Sequence, residues 1–527
     1  MNLIKSILKK LNNSITGGAI VIAIFSILAK LLGLVRDRLL ASTFGVGDIL
    51  DAYYAAFKLP DLIFNTLVLG ALAAAFIPIF ISLKQKDNNN GEFNHWQLSS
   101  AVMNIIFIAM VILGAIVFVG ANKLVSLIAP GFSGEKLMLT IQLTRVMLLS
   151  ILLFGVSNVL SGILQSLKKF TMFALAAVMY NLGIIFGIVC LVKTLGPIGL
   201  AWGVVVGAGL HLLIQLPAVI KAGFKWQPVL GLRHKAVQQI GKLMLPRTLG
   251  LAAGQINQVV ITIIASTLIS GSLAVFNLAF NLQSVPIGIF AVSLAITAFP
   301  AMSESFSQQD KGKFLERFSI TVRRILWLVI PMSIFMIALR AQIVRLVLGA
   351  GQFDWQDTVL TANALGVFAI SLFAQGLIPL LARAFYAFQN TKIPVIISLI
   401  SVSVNIVGSI ILAPKFGVIG LVIAFTVASI IQVVLLLVVL RQKIGHLDEK
   451  KIVLSAIKII TATIGAVICL QVTKYIVGNA VDMQTFIGVL TQFVTAGVVG
   501  SLVYFILSWV LRSEEIKKQG TINKEQE

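Results

Sequence analysis

Apolar residues run in blocks of about twenty or more along this chain, broken by short polar intervals, from residue 16 to residue 511. A helix needs about 20 apolar residues to cross a hydrocarbon core of roughly 30 Å. In lipid the backbone must satisfy its own hydrogen bonds, so the pattern predicts helices rather than open sheet. Fourteen runs qualify: 16–40, 54–82, 98–120, 137–165, 171–192, 197–220, 240–268, 273–301, 320–347, 360–387, 394–413, 417–440, 453–476 and 485–511. Amphipathic stretches at 121–135 and 348–359 are read as loops. The longest polar intervals, such as Lys84–Gln97 and Ser303–Arg317, are loop-sized, which leaves no room for a soluble domain. Met1–Lys10 is a basic amphipathic lead-in. No small-residue cleavage site precedes Lys30, so the first run is expected to be an uncleaved span.

Composition agrees with the pattern. Of 527 residues 58% are hydrophobic and 11% charged, with a mean hydropathy of +1.01. Soluble domains carry about 25% charged residues, so a water-soluble enzyme is excluded. The balance of 41 Lys+Arg against 19 Asp+Glu gives a net charge of +22. Its distribution decides what that charge means. With span-end residues assigned to the adjoining loop, the termini and even-numbered loops hold 26 Lys/Arg, the odd-numbered loops 9, and 6 lie within spans. Cytoplasmic loops carry the basic excess, so both termini are expected in the cytoplasm. The charge is mostly a topology signal, and nucleic acid is not needed as a partner.

The chain also repeats itself. Ala56-Phe57-Lys58-Leu59 returns as Ala279-Phe280-Asn281-Leu282, and Ala75-Phe76 before Pro78 returns as Ala298-Phe299 before Pro300. Gly196-Pro197-Ile198-Gly199-Leu200 returns as Gly417-Val418-Ile419-Gly420-Leu421, and Asn181 matches Asn405. Six spans per copy give both copies one membrane orientation. Parallel repeats of this kind place a substrate site between two lobes near the midplane. The reading is an all-α polytopic membrane protein: lobes at 1–222 and 223–445, two additional helices within 446–511, and a cytoplasmic tail at 512–527.

A charge at the bilayer centre costs roughly 2.5–3.5 kcal/mol on insertion scales, so it marks a cavity or a partner. The candidates are Lys30, Arg36 and Asp37 in the first span, Asp51 and Lys58 at the start of the second, and Arg145, Arg247 and Arg383. Lys30 and Arg36 are about 9 Å apart along a helix and cannot easily reach the same surface. Arg145 and Arg383 lie near span ends, where long cations snorkel. Arg247 follows Pro246, and a helix starting there would aim its positive end at the same region. No Asp or Glu occurs between Lys136 and Ser303 or between Thr358 and Leu447, leaving only Asp37, Asp51 and Asp61 as membrane carboxylates. An interior of cations and amides suits an anionic substrate, above all a phosphate or pyrophosphate. For sodium coupling, spans 7, 11 and 12 offer Asn257, Asn405, Ser409 and Thr426 but no carboxylate.

Other chemistry is missing. There is no Gly-Lys-Ser/Thr phosphate loop, and His95, His211, His234 and His446 are scattered without metal-ligand spacing. His211 is read as a hydrogen-bonded packing residue. Cys190 and Cys469 lie far apart in apolar runs, too few for a disulfide framework or a cysteine metal site. Neither an enzyme activity, a cofactor nor a metal site is expected.

Several segments together resemble one known family. They are Ser26-Ile-Leu-Ala-Lys-Leu-Leu-Gly-Leu-Val-Arg-Asp37, Phe44-Gly45, Asp51-Ala-Tyr-Tyr-Ala-Ala-Phe-Lys-Leu-Pro60, Gly70-Ala71 and Ala75-Phe-Ile-Pro78. They resemble the MurJ (MviN) lipid II flippases of the multidrug/oligosaccharidyl-lipid/polysaccharide exporter superfamily. The likeness extends over essentially the whole chain. It implies translocation of undecaprenyl-pyrophosphate-linked peptidoglycan precursor from the cytoplasmic to the periplasmic leaflet of the bacterial inner membrane. It also implies a central cationic cavity and a groove for the lipid tail formed by spans 13 and 14. The matching positions are Lys30, where many members have Arg, and Arg36, Asp51 and Lys58. This chain departs from the pattern at Phe64-Asn65, where a basic pair is usual, and at Asn281, which aligns with a basic residue.

The sequence thus points to alternating-access transport of lipid II, driven by membrane potential or an ion gradient. Lys30, Arg36, Lys58 and Arg247 are the expected pyrophosphate ligands, with Asn281 at the site. Asp51 is expected to orient a basic neighbour or help gate the cavity. The partners are lipid II and membrane lipids; the chain is expected to be a monomer, with cell-wall synthesis machinery as a protein partner. The competing expectations are a flippase for another polyprenyl-linked oligosaccharide and a non-transporting scaffold of envelope synthesis.

Overall fold

The computed structural model describes residues 15–69, 72–86, 93–513 and 515, and their side chains except at 15–19, 69, 72–74, 86 and 245–253. The basic lead-in at Met1–Lys10, Gly70-Ala71 and the tail beyond residue 515 lie outside the described residues. Every regular element among the described residues is helical. Among the described residues, ten helices are long and apolar enough to cross a membrane. The count is eleven if Trp355–Ile370 and Leu372–Ala387, bent by 45° at Ser371, form one span. The other three expected spans fall on the helix Ile15–Phe44, on the broken run Asp48–Lys86 and on the helix Lys235–Ser266.

Boundaries moved in three places. The loop expected at 121–135 is short, because His95–Ile128 is one helix with an Asn94/Gln97 capping box at its start. The second span is composite: Asp48–Ala56, Lys58–Phe64, a π-helical turn Asn65–Leu69, then Leu72–Lys86. The seventh span does not begin at Pro246. Its helix starts at Lys235 behind His234, whose ring accepts the Ala236 N–H, so residue 246 is helix interior. The positive helix end anticipated there is absent.

The chain forms two compact units, Met1–Ala274 and Val275–Glu527. In the first, Ile15–Phe44 packs on Phe170–Phe186, and Ile198–Leu213 packs on both Phe170–Phe186 and Gly134–Ser166. Phe76, Phe80, Leu98 and Met110 are fully buried in its core. In the second, Lys311–Ala338 packs on Glu449–Ala480 and Leu372–Ala387, and Lys392–Phe416 packs on Val418–Ile444. Phe314, Phe318, Ile325 and Phe385 fill that core.

Some backbone irregularities recur in both sequence copies. The π-helical turn Asn65–Leu69 recurs at Ile287–Ala291, and Pro78 and Pro300 both sit inside helices. Gly196 and Gly417 both take positive φ, +63° and +60°, a region that L side chains rarely enter. A Cβ on Gly187 would lie 2.4 Å from the Gly203 Cα; at the matching pair, Gly408 meets the Ala424 Cβ at 3.1 Å. Irregular backbone repeated at a near-constant offset is stronger evidence of duplication than short apolar matches.

Loop contacts within each unit sort by parity. Asp48 and Asp51 of the first interspan loop both pair with Lys136 of the third, and Asp51 also accepts the N–H of Gly271 from the seventh. Even-numbered loops meet one another: Phe93 stacks on His234 at 4.1 Å, and Trp96 packs on Phe224. In the second unit Ser319 donates to Asp448, and Phe314 packs on Phe388.

Candidate functional site

The first span carries a polar seam on an otherwise apolar helix. Arg36 donates through Nε and Nη2 to Asp37 Oδ1, at 3.1 and 2.9 Å. Its Nη1 donates to Asn181 Oδ1 at 3.3 Å. Asn181, from the fifth span, uses its own N–H group on the carbonyls of Ala29 and Ala177. The amide therefore spans two turns of the first helix and passes Gly33, where an added Cβ would lie at ordinary contact distance, 3.8 Å, from the Asn181 Oδ1. Asp37 is buried, while the Arg36 side chain keeps 21% exposure. Tyr53, Tyr54 and Tyr180 lie within electrostatic reach of the guanidinium. Lys30 is half-buried on the same helix and has no hydrogen bond or ion pair with a described residue. The arrangement gives one cation held in a fixed orientation and one without a directed partner among the described residues.

A second polar group lies on the broken second span. The helix Lys58–Phe64 opens after Phe57, so Lys58 sits at its start and Asp61 follows one turn on. Both are half-buried. Beside them is a cavity of about 400 Å³, lined by Asp61, Asn65, Phe154, Asn158, Tyr180 and His211 among others. The π-helical turn begins at Asn65, whose amide donates to Gln255 of the seventh span at 3.2 Å. Such turns widen a helix and occur often at functional sites. His211 Nδ1 lies 2.6 Å from Ser157 Oγ, and Gln215 links Ser157 to Ser161. His211 is thus hydrogen-bonded as expected, and it also faces the cavity.

Asp51 does different work. Its carboxylate takes Lys136 Nζ at 2.7 Å and accepts the backbone N–H of Gly271 at 2.7 Å and of Ala274 at 2.8 Å. These bonds cap the start of the helix Ser272–Pro286, where unpaired N–H groups favour an anion. Asp51 does have a basic neighbour, Lys136, which the sequence reading had not singled out. Asp48, on the same lysine and on Ser270 Oγ, is held below the usual carboxylate range by those two hydrogen bonds.

Among the remaining expected residues, Arg247 lies in the helix Lys235–Ser266 with its side chain outside the described residues. Asn281 is half-buried on Ser272–Pro286, in the second unit. Arg145 bonds Asn122 and packs over Phe118, as a span-end anchor does, and Arg383 donates to the Pro379 carbonyl. Cys190 and Cys469 are free. No cluster of three potential metal-ligating His, Cys, Asp or Glu occurs among the described residues. Sequence reasoning missed Asn181, Tyr180 and Asn158 as site residues. Asn181 had drawn notice only as a repeat match, although a lone amide in an apolar span is itself a signal.

The family model described as "Lipid II flippase MurJ" matches residues 40–490. Among curated relatives, a probable lipid II flippase MurJ from Buchnera aphidicola is 28% identical over 495 residues, covering 93% of this chain and 96% of its own. One from Thermotoga maritima is 29% identical over 490 residues, covering 93% and 95%. The lipid II flippase MurJ of Burkholderia cenocepacia is 29% identical over 427 residues, covering 80% and 82%. A solved structure described as lipid II flippase MurJ in an inward closed conformation superposes with a TM-score of 0.78. It shares 24% identity and covers 94% of this chain and 100% of its own. An inward-facing multidrug resistance MATE transporter of the MOP superfamily gives 0.63 at 16% identity, covering 80% and 96%. At these identities the two structures speak for the fold.

Proposed function

The chain belongs to the lipid II flippase MurJ family, and from that premise we propose how its own residues move the substrate. It is a lipid II flippase, a multi-span transporter of cell-wall synthesis. Lipid II joins a pyrophosphate to a very long apolar tail, so the protein must shelter an anion while the tail stays in lipid.

The observation that carries the reading is Arg36, fixed by Asp37 and Asn181 within the first span. Arg binds phosphate oxygens through paired, charge-assisted hydrogen bonds, each contributing about 1.5–3 kcal/mol. In the proposed cycle the pyrophosphate takes up the free donor capacity of Arg36, and Lys30 swings onto it as a point charge. Lys58 and Arg247 add positive charge, and Asn281 contributes an amide. Asp51 holds Lys136 and the helix start as a latch at one end of the pathway. Fourteen spans in two six-helix lobes, 1–222 and 223–445, would rock about this site by alternating access. Spans 13 and 14, within 446–511, would take the tail. We place both termini in the cytoplasm, on the basic excess of the even-numbered loops. We place the working unit as a monomer in the inner membrane, beside the cell-wall synthesis machinery.

The test is reconstitution. Purified protein in vesicles should translocate lipid II, and Arg36→Ala should abolish translocation and fail to complement depletion in cells. Full complementation by Arg36→Ala would overturn the site. Competition by other defined polyprenyl-linked saccharides would reveal broader selectivity, which the uncharged Phe64, Asn65 and Asn281 favour.

A further inference from the structure

Three carboxylates lie within or at the start of the first two spans, and their surroundings differ. Asp37 is taken by Arg36. Asp51 is taken by Lys136 and two backbone N–H groups. Asp61 alone of the three lines the 400 Å³ cavity, and its carboxylate makes no hydrogen bond or ion pair with a described residue. We propose that Asp61 and this cavity form a proton-binding site, linked to anion binding at Lys58 one helical turn away, so that substrate uptake carries a proton.

The linkage follows from the electrostatics. Residues three apart on a helix are neighbours, about 5–6 Å between Cβ atoms. Ionised Asp61 is then the nearest counter-charge to Lys58, and both are withdrawn from water. An anion arriving at Lys58 competes with that carboxylate. Protonation removes the competitor, and by reciprocity the bound anion raises proton affinity at Asp61. Loss of the proton on the far side would restore the Lys58–Asp61 attraction and expel the anion.

The facing groups permit this. Lys58 is on the same helix; Tyr53 comes from the preceding helix and lies within electrostatic reach of Asp61. Tyr180 comes from the fifth span and His211 from the sixth. The third span carries no charge between His95 and Lys123, and the fourth none beyond Arg145. The seventh carries Lys242, which is exposed, and Arg247, whose side chain lies outside the described residues. Asn65, Asn158 and Ser150 on the cavity wall can order water to carry a proton.

The inference rests on the flippase reading for its purpose, and its test separates the two. Infrared difference spectra of the full-length protein in lipid should show a protonated-carboxyl band that fades on alkalinisation. The band should be lost in Asp61→Asn and displaced in Asp61→Glu. Adding inorganic pyrophosphate to weakly buffered protein should draw a proton from solution, and Asp61→Asn or Lys58→Gln should remove that uptake. A band that persists in Asp61→Asn, or pyrophosphate binding with no proton movement in the wild type, would overturn the proposal. So would a carboxyl signal that responds to sodium rather than to pH. Vesicles that show both proton signals yet do not translocate lipid II would count against the flippase reading and uphold the proton site.

Discussion

Arg36 and Asn181, 145 residues apart in sequence, meet at 3.3 Å on facing sides of the first and fifth spans. The amide carbonyl fixes one end of the guanidinium while Asp37 fixes the other. Hydrogen bonds to charged groups are worth about 1.5–3 kcal/mol. Asn181→Leu should therefore slow lipid II translocation by about tenfold or more, as 1.36 kcal/mol is tenfold in rate. Vesicle assays at saturating lipid II measure this, and an unchanged rate would show that the amide does not position Arg36.

The two cations of the first span should respond differently to exchange. Arg36 uses three nitrogens in fixed directions, whereas Lys30 has no directed partner among the described residues. Lys30→Arg should support growth as the sole copy. Arg36→Lys should lose most translocation, because an ammonium cannot reproduce the fork. Equal tolerance at the two positions would refute the distinction.

Asp51→Asn should destabilise the protein by about 3 kcal/mol, since it leaves the largely buried Lys136 with only the exposed Asp48 as counter-charge and weakens the cap on Gly271 and Ala274. Asp51→Asn with Lys136→Met should recover part of that loss. Thermal unfolding in one detergent gives both values. A single variant that melts with the wild type would remove the latch from the mechanism.

The same lysine makes an acid-dependent contribution through Asp48. Its carboxyl is held below the ordinary range by Lys136 and Ser270, so the stabilisation is present above the unfolded carboxyl value of about 3.9. It is lost as pH falls through the lower folded value. Asp48 is 61% exposed, so solvent screens the effect and it should be small. Lys136→Met should flatten the wild-type fall in melting temperature below about pH 4; an identical acid profile would assign that fall elsewhere.

Glycine tolerance should follow the close helix approaches. Gly187→Ala would place a Cβ 2.4 Å from the Gly203 backbone and should abolish accumulation of folded protein. Gly209→Ala meets nothing within 4 Å and should accumulate normally. Gly408→Ala faces a side-chain Cβ at 3.1 Å and should be intermediate. Membrane yields of the three variants test the order, and full tolerance of Gly187→Ala would show that the helices can part.

Helical class, most span positions and the repeat were legible because lipid enforces them residue by residue. An apolar run must be helical, and the duplicated Gly196 and Gly417 segments keep the same turn because φ near +60° selects glycine. Less was legible where a helix is irregular. Neither the π-helical turn at Asn65 nor the bend at Ser371 has a hydropathy signature, and Pro246 signals a helix start equally well as a helix interior.

By itself the sequence picked out the charges expected among its apolar runs, with all three carboxylates in or beside the first two. It did not determine their partners. Only the tertiary structure decided that Asp37 serves Arg36, that Asp51 serves Lys136 and a helix start, and that Asp61 is left facing a cavity. The reason is physical: the cost of a charge in lipid depends on its own residue, whereas the group that offsets that cost comes from whichever helix packs against it, 85 or 145 residues away.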